Sequence, residues 1–219
     1  MRPRWVVIVI NGILAWPGSS KGWTDRAVTW IMQHAPAWGT VLSEKYEYWR
    51  GVLFRWWGRQ GLVDDISDLM SGYHANGFAR VCIVAHSNGC DLALRAVRDT
   101  GARGVVLHLV AGAADPDFES NGLNRLIENG TVARVHWWRC GRDVALNYLA
   151  PATRFITRIA GFQSGGSIQD ESVYRIDQSV RPRVAFHDYP ELGHSDLLSP
   201  ERLPKTLTKI LDHLSTEAA

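Results

Sequence analysis

One segment of the chain combines an apolar run with a sharp turn: Val81-Cys82-Ile83-Val84-Ala85-His86-Ser87-Asn88-Gly89. The apolar run is typical of a buried strand. Apolar residues at helical spacing follow it, at Leu92, Ala93, Ala96 and Val97. The chain therefore passes from strand to helix within a few residues of Ser87. Ala85 and Gly89 are small enough for such a turn, which would expose the Ser87 hydroxyl at the positive end of the helix.

Strand-like and helix-like segments alternate on both sides of this turn. Further strands are predicted at 5–10, 41–49, 104–110, 132–138 and 184–189, the one at 41–49 near a sheet edge. Further helices are predicted around 24–35 (capped by Thr24), 66–73, 123–127 and 207–214. This order is typical of an α/β domain with a mostly parallel sheet and helices on both faces. Residues 151–182 interrupt the alternation with several glycines, and we expect a small insertion or cap there.

The composition is that of an ordinary globular domain. The 219 residues include 24 Lys+Arg and 22 Asp+Glu, which gives a net charge of +2. A single domain over 1–219 is expected, and near-neutrality argues against nucleic acid as the partner. No apolar run reaches the length of about 18 residues that a membrane span needs.

The cysteines and the first residues bear on localisation. Cys82, Cys90 and Cys140 form neither a disulfide framework nor a Cys-x-x-Cys pair, which favours a reducing, cytoplasmic compartment. Met1-Arg2-Pro3-Arg4 before the first apolar run is also typical of a secretory signal, although no matching cleavage site follows it. Secretion therefore stays open as the alternative.

The turn around Ser87 resembles the nucleophile elbow of the α/β-hydrolase family. The commonest family motif is Gly-x-Ser-x-Gly, and here Ala85 replaces the first glycine. The resemblance covers nearly the whole chain, from about residue 5 to residue 215. It implies a three-layer α/β-hydrolase fold in which Ser87 is the nucleophile.

The same resemblance implies a base and an acid in the chain order Ser, acid, His. His194 lies between the last predicted strand and the last predicted helix, where the family places its histidine. Asp143 follows the strand at 132–138, which is the usual position of the acid. Asp115 is the alternative acid, because some family members carry it one strand earlier. Asp143 would orient the His194 ring and stabilise its charged form.

An oxyanion hole needs two backbone N–H groups aimed at the developing negative charge. The resemblance implies Asn88, directly after the nucleophile, as one donor. The second donor would come from the loop Asn11-Gly12-Ile13 after the first strand, with Ile13 preferred and Leu14 as the alternative.

The chain has ten tryptophans, several of them close to that loop. Most are interpreted as core residues. Trp16 and Trp23 are candidates for lining an apolar acyl or alcohol pocket.

The remaining histidines and motifs suggest no other chemistry. Three histidines lie in predicted strands and are interpreted as packed or edge residues: His108, His136 and His187. Three others are interpreted as solvent-facing helical residues: His34, His74 and His213. His86 is interpreted as pointing away from the nucleophile. There is no His-Glu-x-x-His motif and no cysteine–histidine cluster, so no metal ligands are predicted. No dinucleotide motif follows the first strand, and no cofactor is expected.

These features together predict a serine hydrolase acting on small to medium carboxylic esters through an acyl-enzyme, with a small-molecule ester as its partner. Thioester hydrolysis, amide hydrolysis, acyl transfer and carbon–carbon bond hydrolysis use the same groups. A non-catalytic binding protein on the same scaffold is the alternative from another class. The oligomeric state does not follow from the sequence.

Overall fold

The computed structural model describes residues 5–12, 22–34, 41–46, 59–78, 80–114, 122–149, 166–167 and 176–218. Its strands are β1 (Trp5–Ile10), β2 (Val41–Tyr46), β3 (Arg80–His86), β4 (Val105–Val110), β5 (Ala113–Ala114), β6 (Val132–Cys140), β7 (Gly166–Ser167) and β8 (Val184–Tyr189). Its α-helices are α1 (Trp23–His34), α2 (Arg59–Ala75), α3 (Gly89–Asp99), α4 (Leu123–Glu128) and α5 (Leu203–Ala218).

Six of these strands form one sheet in the order β2-β1-β3-β4-β6-β8. Every neighbouring pair in this sheet is parallel. β5 and β7 form a separate antiparallel pair. Since the carboxyl ends of parallel strands meet at one edge of a sheet, the segments after β1, β3, β4, β6 and β8 come together there.

Helices cover both faces of the sheet, and alternate residues of each strand separate two apolar cores. In β1, Val6, Ile8 and Ile10 pack in the core beneath α2, α3 and α4. Trp5, Val7 and Val9 pack in the opposite core, beneath α1 and α5. All six residues of β1 are fully buried, as expected for a strand covered on both faces. The predicted three-layer α/β architecture is confirmed.

Most predicted elements lie where the sequence pattern places them. β2 is an edge strand, as predicted. The predicted helix cap at Thr24 is wrong, because α1 begins at Trp23 and Thr24 lies buried in its first turn. The predicted insertion at 151–182 falls mostly outside the described residues; within it, Gly166–Ser167 pairs with Ala113–Ala114. Among the described helices, none is long and apolar enough to cross a membrane.

Candidate active site

Ser87 occupies a strained turn at the carboxyl end of β3, directly before α3. Its φ angle is +54°, in the left-handed region that non-glycine residues rarely adopt. Backbone hydrogen bonds hold this conformation: the Ser87 N–H donates to the carbonyl of Val110, and the Ser87 carbonyl accepts from the N–H groups of Cys90 and Ala113, each at 3.0 Å. The end of β4 and the start of β5 thus support the turn, and the strain falls on a residue with a nucleophilic side chain.

Two glycines let the segment after β1 approach this turn closely. A Cβ atom added at Gly12 would lie 2.7 Å from the Cβ and 3.2 Å from the Oγ of Ser87. A Cβ atom added at Gly89 would lie 2.5 Å from the carbonyl oxygen of Asn11. Side chains at either position would clash, so glycine is needed at both. The loop proposed to supply the second oxyanion donor therefore begins in direct contact with Ser87.

The backbone N–H of Asn88 is one predicted oxyanion donor. Asn88 has helical dihedral angles (φ −66°, ψ −15°) just before α3. Its N–H has no hydrogen-bond acceptor among the described residues. It is therefore free to meet a negatively charged oxygen at the positive end of α3. Ile13 and Leu14, the candidates for the second donor, lie outside the described residues.

Asp143 and His194 form a hydrogen-bonded pair at the same edge of the sheet. The Nδ1 of His194 lies 2.7 Å from Oδ2 of Asp143, a carboxylate with no solvent exposure. The other carboxylate oxygen, Oδ1, accepts the backbone N–H of Leu146 at 2.8 Å. With the Nδ1 proton directed to the carboxylate, the neutral ring carries a lone pair on Nε2, which is the form a general base requires.

Backbone contacts between two loops explain why residues 51 positions apart in sequence meet. The N–H groups of Gly141 and Arg142 donate to the carbonyls of Tyr189 and Leu192 at 3.0 and 2.9 Å. A Cβ atom added at Gly141 would lie 2.7 Å from Cα of Pro190. The loops after β6 and β8 are thus held together, and they carry Asp143 and His194 respectively.

His86 links the loop that carries His194 to the turn at Ser87, a role that the sequence pattern did not indicate. Its Nε2–H donates to the carbonyl of His194 at 3.0 Å, and the two ring centroids are 4.8 Å apart. Burial lowers the pKa of His86 to about 3, with His194 nearby as a second cause. His86 is therefore neutral, and it opposes a positive charge on His194 less than a protonated ring would. The prediction that His86 points away from the nucleophile did not anticipate this contact.

Ser87 directly follows His86, whose side chain is hydrogen-bonded to the His194 backbone. The serine and the loop that carries His194 are therefore close neighbours. Among the hydrogen bonds of the described residues, none joins Ser87 Oγ to the His194 ring. Catalytic hydrogen bonds are often long before substrate binds, so this geometry does not exclude the pair. The structure brings the three predicted side chains to one edge, with the Asp143–His194 bond formed.

The other predicted site residues are placed differently. Trp23 is fully buried, and its Nε1–H donates to Oδ1 of Asn11 at 2.8 Å. It also packs edge-on against His86. Trp23 therefore supports the site from inside the core rather than lining a surface pocket, which corrects the predicted role. Trp16 and the alternative acid Asp115 lie outside the described residues.

Two of the cysteines are poor candidates for an alternative nucleophile. Burial raises the pKa of the Cys90 thiol far above its usual value, and that of Cys140 to about 12. Both thiols therefore stay protonated near neutral pH, and the reactive thiolate is absent. Among these groups Ser87 is the stronger nucleophile candidate.

A cavity of about 340 Å³ lies beside the loop after β6, lined by residues that include Gly141, Asn147 and Asp188. Neither Ser87 nor His194 lines it. It is therefore not the proposed ester pocket.

A second group of histidines lies away from this edge, between the sheet and α5. His108, His136 and His213 are neighbours there, although they were predicted at unrelated packed and solvent-facing positions. The prediction for His213 is wrong, because its side chain is partly buried. The prediction that the chain offers no set of metal ligands overlooked these three imidazoles.

Comparisons with known proteins add little to this geometry. No known protein-family profile matches the sequence, and no curated protein matches it. One solved structure that resembles the chain is a protein of Agrobacterium vitis S4 described as a "putative hydrolase". It shares 16% sequence identity at a TM-score of 0.47, over 94% of this chain and 87% of the other. At that distance the likeness carries no inference about activity, which has to come from the residues themselves.

Proposed function

We propose that the chain is a serine hydrolase that cleaves carboxylic esters of small to medium acyl chain. The observation that carries the proposal is the convergence at one sheet edge of a strained serine and a hydrogen bond between buried Asp143 and His194, joined through His86. Strain at a nucleophilic side chain, next to an oriented imidazole, is the arrangement that acyl transfer uses.

In the acylation step, His194 Nε2 takes the proton from the Ser87 hydroxyl as Oγ attacks the ester carbonyl. The tetrahedral oxyanion is stabilised by the N–H of Asn88 and by a second N–H from the loop after Gly12, for which Ile13 is the candidate. His194 then gives the proton to the departing alcohol, and the acyl group stays on Ser87.

In the deacylation step, the same imidazole activates a water molecule that attacks the acyl-enzyme. The acid leaves, and the proton returns to Ser87. Asp143 remains ionised throughout and stabilises the imidazolium at each transfer. This scheme uses no cofactor, and its partner is a small-molecule ester.

The same groups support thioester hydrolysis, acyl transfer and carbon–carbon bond hydrolysis, which differ in the leaving group or acceptor. A non-catalytic binding protein would have no use for a buried carboxylate aligned on an imidazole. We therefore place the binding function second.

Turnover of nitrophenyl esters from acetate to decanoate tests the proposal. The parent chain should hydrolyse the shorter esters, and Ser87→Ala should lower kcat by about 10⁴-fold or more. Ser215→Ala is the matched control and should keep full activity, because among the described residues the Ser215 hydroxyl on α5 bonds only the carbonyl of Leu211. A Ser87→Ala variant as active as the parent would refute the proposed nucleophile. Turnover of thioesters in place of oxygen esters would support the thioesterase alternative.

A further inference from the structure

Three imidazoles from three elements meet on the face of the sheet that α5 covers. His108 on β4 and His136 on β6 are direct neighbours in the parallel register. His213 on α5 approaches both, with ring centroids 5.7 and 4.1 Å away. One ring nitrogen of each residue lies within 4.8 Å of the others.

We propose that His108, His136 and His213 bind one divalent transition-metal ion, with Zn²⁺ as the first candidate. Neutral imidazole nitrogen is a preferred ligand for zinc, copper and nickel, whereas calcium and magnesium prefer oxygen. Three histidines with a fourth position left for water form a recognised zinc coordination set. This site is independent of the proposed ester hydrolysis.

The distances between the ring nitrogens are close to those in an occupied zinc site. Zinc–nitrogen bonds of about 2.0–2.1 Å in a tetrahedral arrangement place the ligand nitrogens about 3.4 Å apart. The widest pair therefore has to close by about 1.4 Å. His108 and His136 are fixed by their strands, so His213 on the helix is the side chain that moves.

The environment of His108 favours an ion. His108 is fully buried, and its Nε2 has no hydrogen-bond partner among the described residues. A buried polar atom without a partner is unfavourable, and a bound ion would satisfy Nε2 once the ring proton has moved to Nδ1. A ring nitrogen needs a free lone pair to bind metal.

Two neighbouring side chains are hydrogen-bonded to the proposed ligands, and the effect of metal binding on the two bonds differs. The Nδ1 of His136 lies 3.1 Å from Nε2 of His187, and a hydrogen bond of this kind to a metal-binding histidine holds its ring in place. The indole N–H of Trp138 donates to Nδ1 of His108 at 3.2 Å. Because an indole only donates, the neutral His108 ring carries its proton on Nε2. Metal binding therefore shifts that proton to Nδ1 and breaks the Trp138 bond.

A neighbouring cation, Lys209, is directed elsewhere. Lys209, one turn before His213 on α5, has its Nζ 3.1 Å from the hydroxyl of Tyr189 and lies over that ring. Asp188, next to His187, is bound to Arg139 through both carboxylate oxygens. An ion would thus be held by neutral ligands, and it would connect α5 to the centre of the sheet.

Metal titration of the full chain, expressed without a polyhistidine tag and stripped with a chelator, tests this site. Calorimetry with Zn²⁺ should show one ion bound per chain, and Zn²⁺ should raise the Tm. His213→Gln should weaken the affinity at least tenfold and abolish the rise in Tm. His74→Gln removes an exposed histidine at the end of α2 and should match the parent.

Co²⁺ added to the unaltered chain gives a readout that does not depend on how a variant folds. Visible absorption of a nitrogen-ligated Co²⁺ ion, saturating at one equivalent and displaced by Zn²⁺, would support the site. Absence of such a band, or binding of Zn²⁺ by His213→Gln as tightly as by the parent, would overturn the proposal.

Discussion

Acid should destabilise the protein through His86 at pH values where most carboxylates are still ionised. In the unfolded chain this imidazole has a pKa near 6.5 and takes up a proton as the pH falls below that value. In the folded chain its pKa is about 3, because the ring is buried and faces His194. Protons therefore favour the unfolded state between these two values. The stability contributed by neutral His86 is complete above pH 6.5 and is lost as the pH falls toward 3.

The size of the effect follows from the two pKa values. Between pH 7 and pH 5, a group that shifts from 6.5 to about 3 on folding lowers the free energy of unfolding by about 2 kcal/mol. Most of this loss falls between pH 6.5 and pH 5. Since whole domains are stable by only about 5–15 kcal/mol, the change is large enough to measure.

Urea unfolding followed by circular dichroism at pH 7, 6 and 5, with a chelator present, measures this contribution. His86→Gln is the informative variant, because glutamine keeps an N–H donor for the His194 carbonyl but does not titrate. The parent should lose about 2 kcal/mol more than His86→Gln between pH 7 and pH 5. A difference between the two proteins that stays constant over this range would refute the assignment of a buried, neutral His86.

Two further substitutions test the site from other directions. Gly89→Ala places a Cβ atom 2.5 Å from the carbonyl oxygen of Asn11, so the free energy of unfolding should fall by about 1–3 kcal/mol; a thermal melt that matches the parent would contradict this close approach. Asp143→Asn should lower kcat for ester turnover by about 10³–10⁴-fold with little change in KM. Asp115→Asn should keep a kcat close to that of the parent. If Asp115→Asn instead loses more activity than Asp143→Asn, the acid is Asp115.

The sequence predicts the structure best where the local turn and the overall fold require the same residues. The apolar run before Ser87 and the small residues Ala85 and Gly89 predict the strand, the turn and the helix together. The structure gives the physical reason for Gly89, whose position touches the segment after β1. Asp143 and His194 could be predicted as loop residues after strands. Their contact depends on backbone bonds between loops, which a sequence pattern does not display.

The features that the sequence did not reveal depend on how strands and helices align in space. His108 and His136 are 28 positions apart, yet the parallel register makes them neighbours. His213 reaches them only because α5 covers that face of the sheet. Trp23 looked like a loop residue near the site, but α1 begins with it and its side chain faces the core. Periodicity predicts which face of an element is apolar, and it does not predict which polar side chains meet across elements.

The nucleophile can be tested directly with a fluorophosphonate that reacts only with activated serines. Intact-mass spectrometry of the treated chain should show a single adduct, peptide mapping should place it on Ser87, and ester turnover should fall in proportion to labelling. His194→Ala should label far more slowly, because the serine is then no longer activated. An unlabelled chain, or an adduct on another residue with turnover lost, would contradict the proposed role of Ser87.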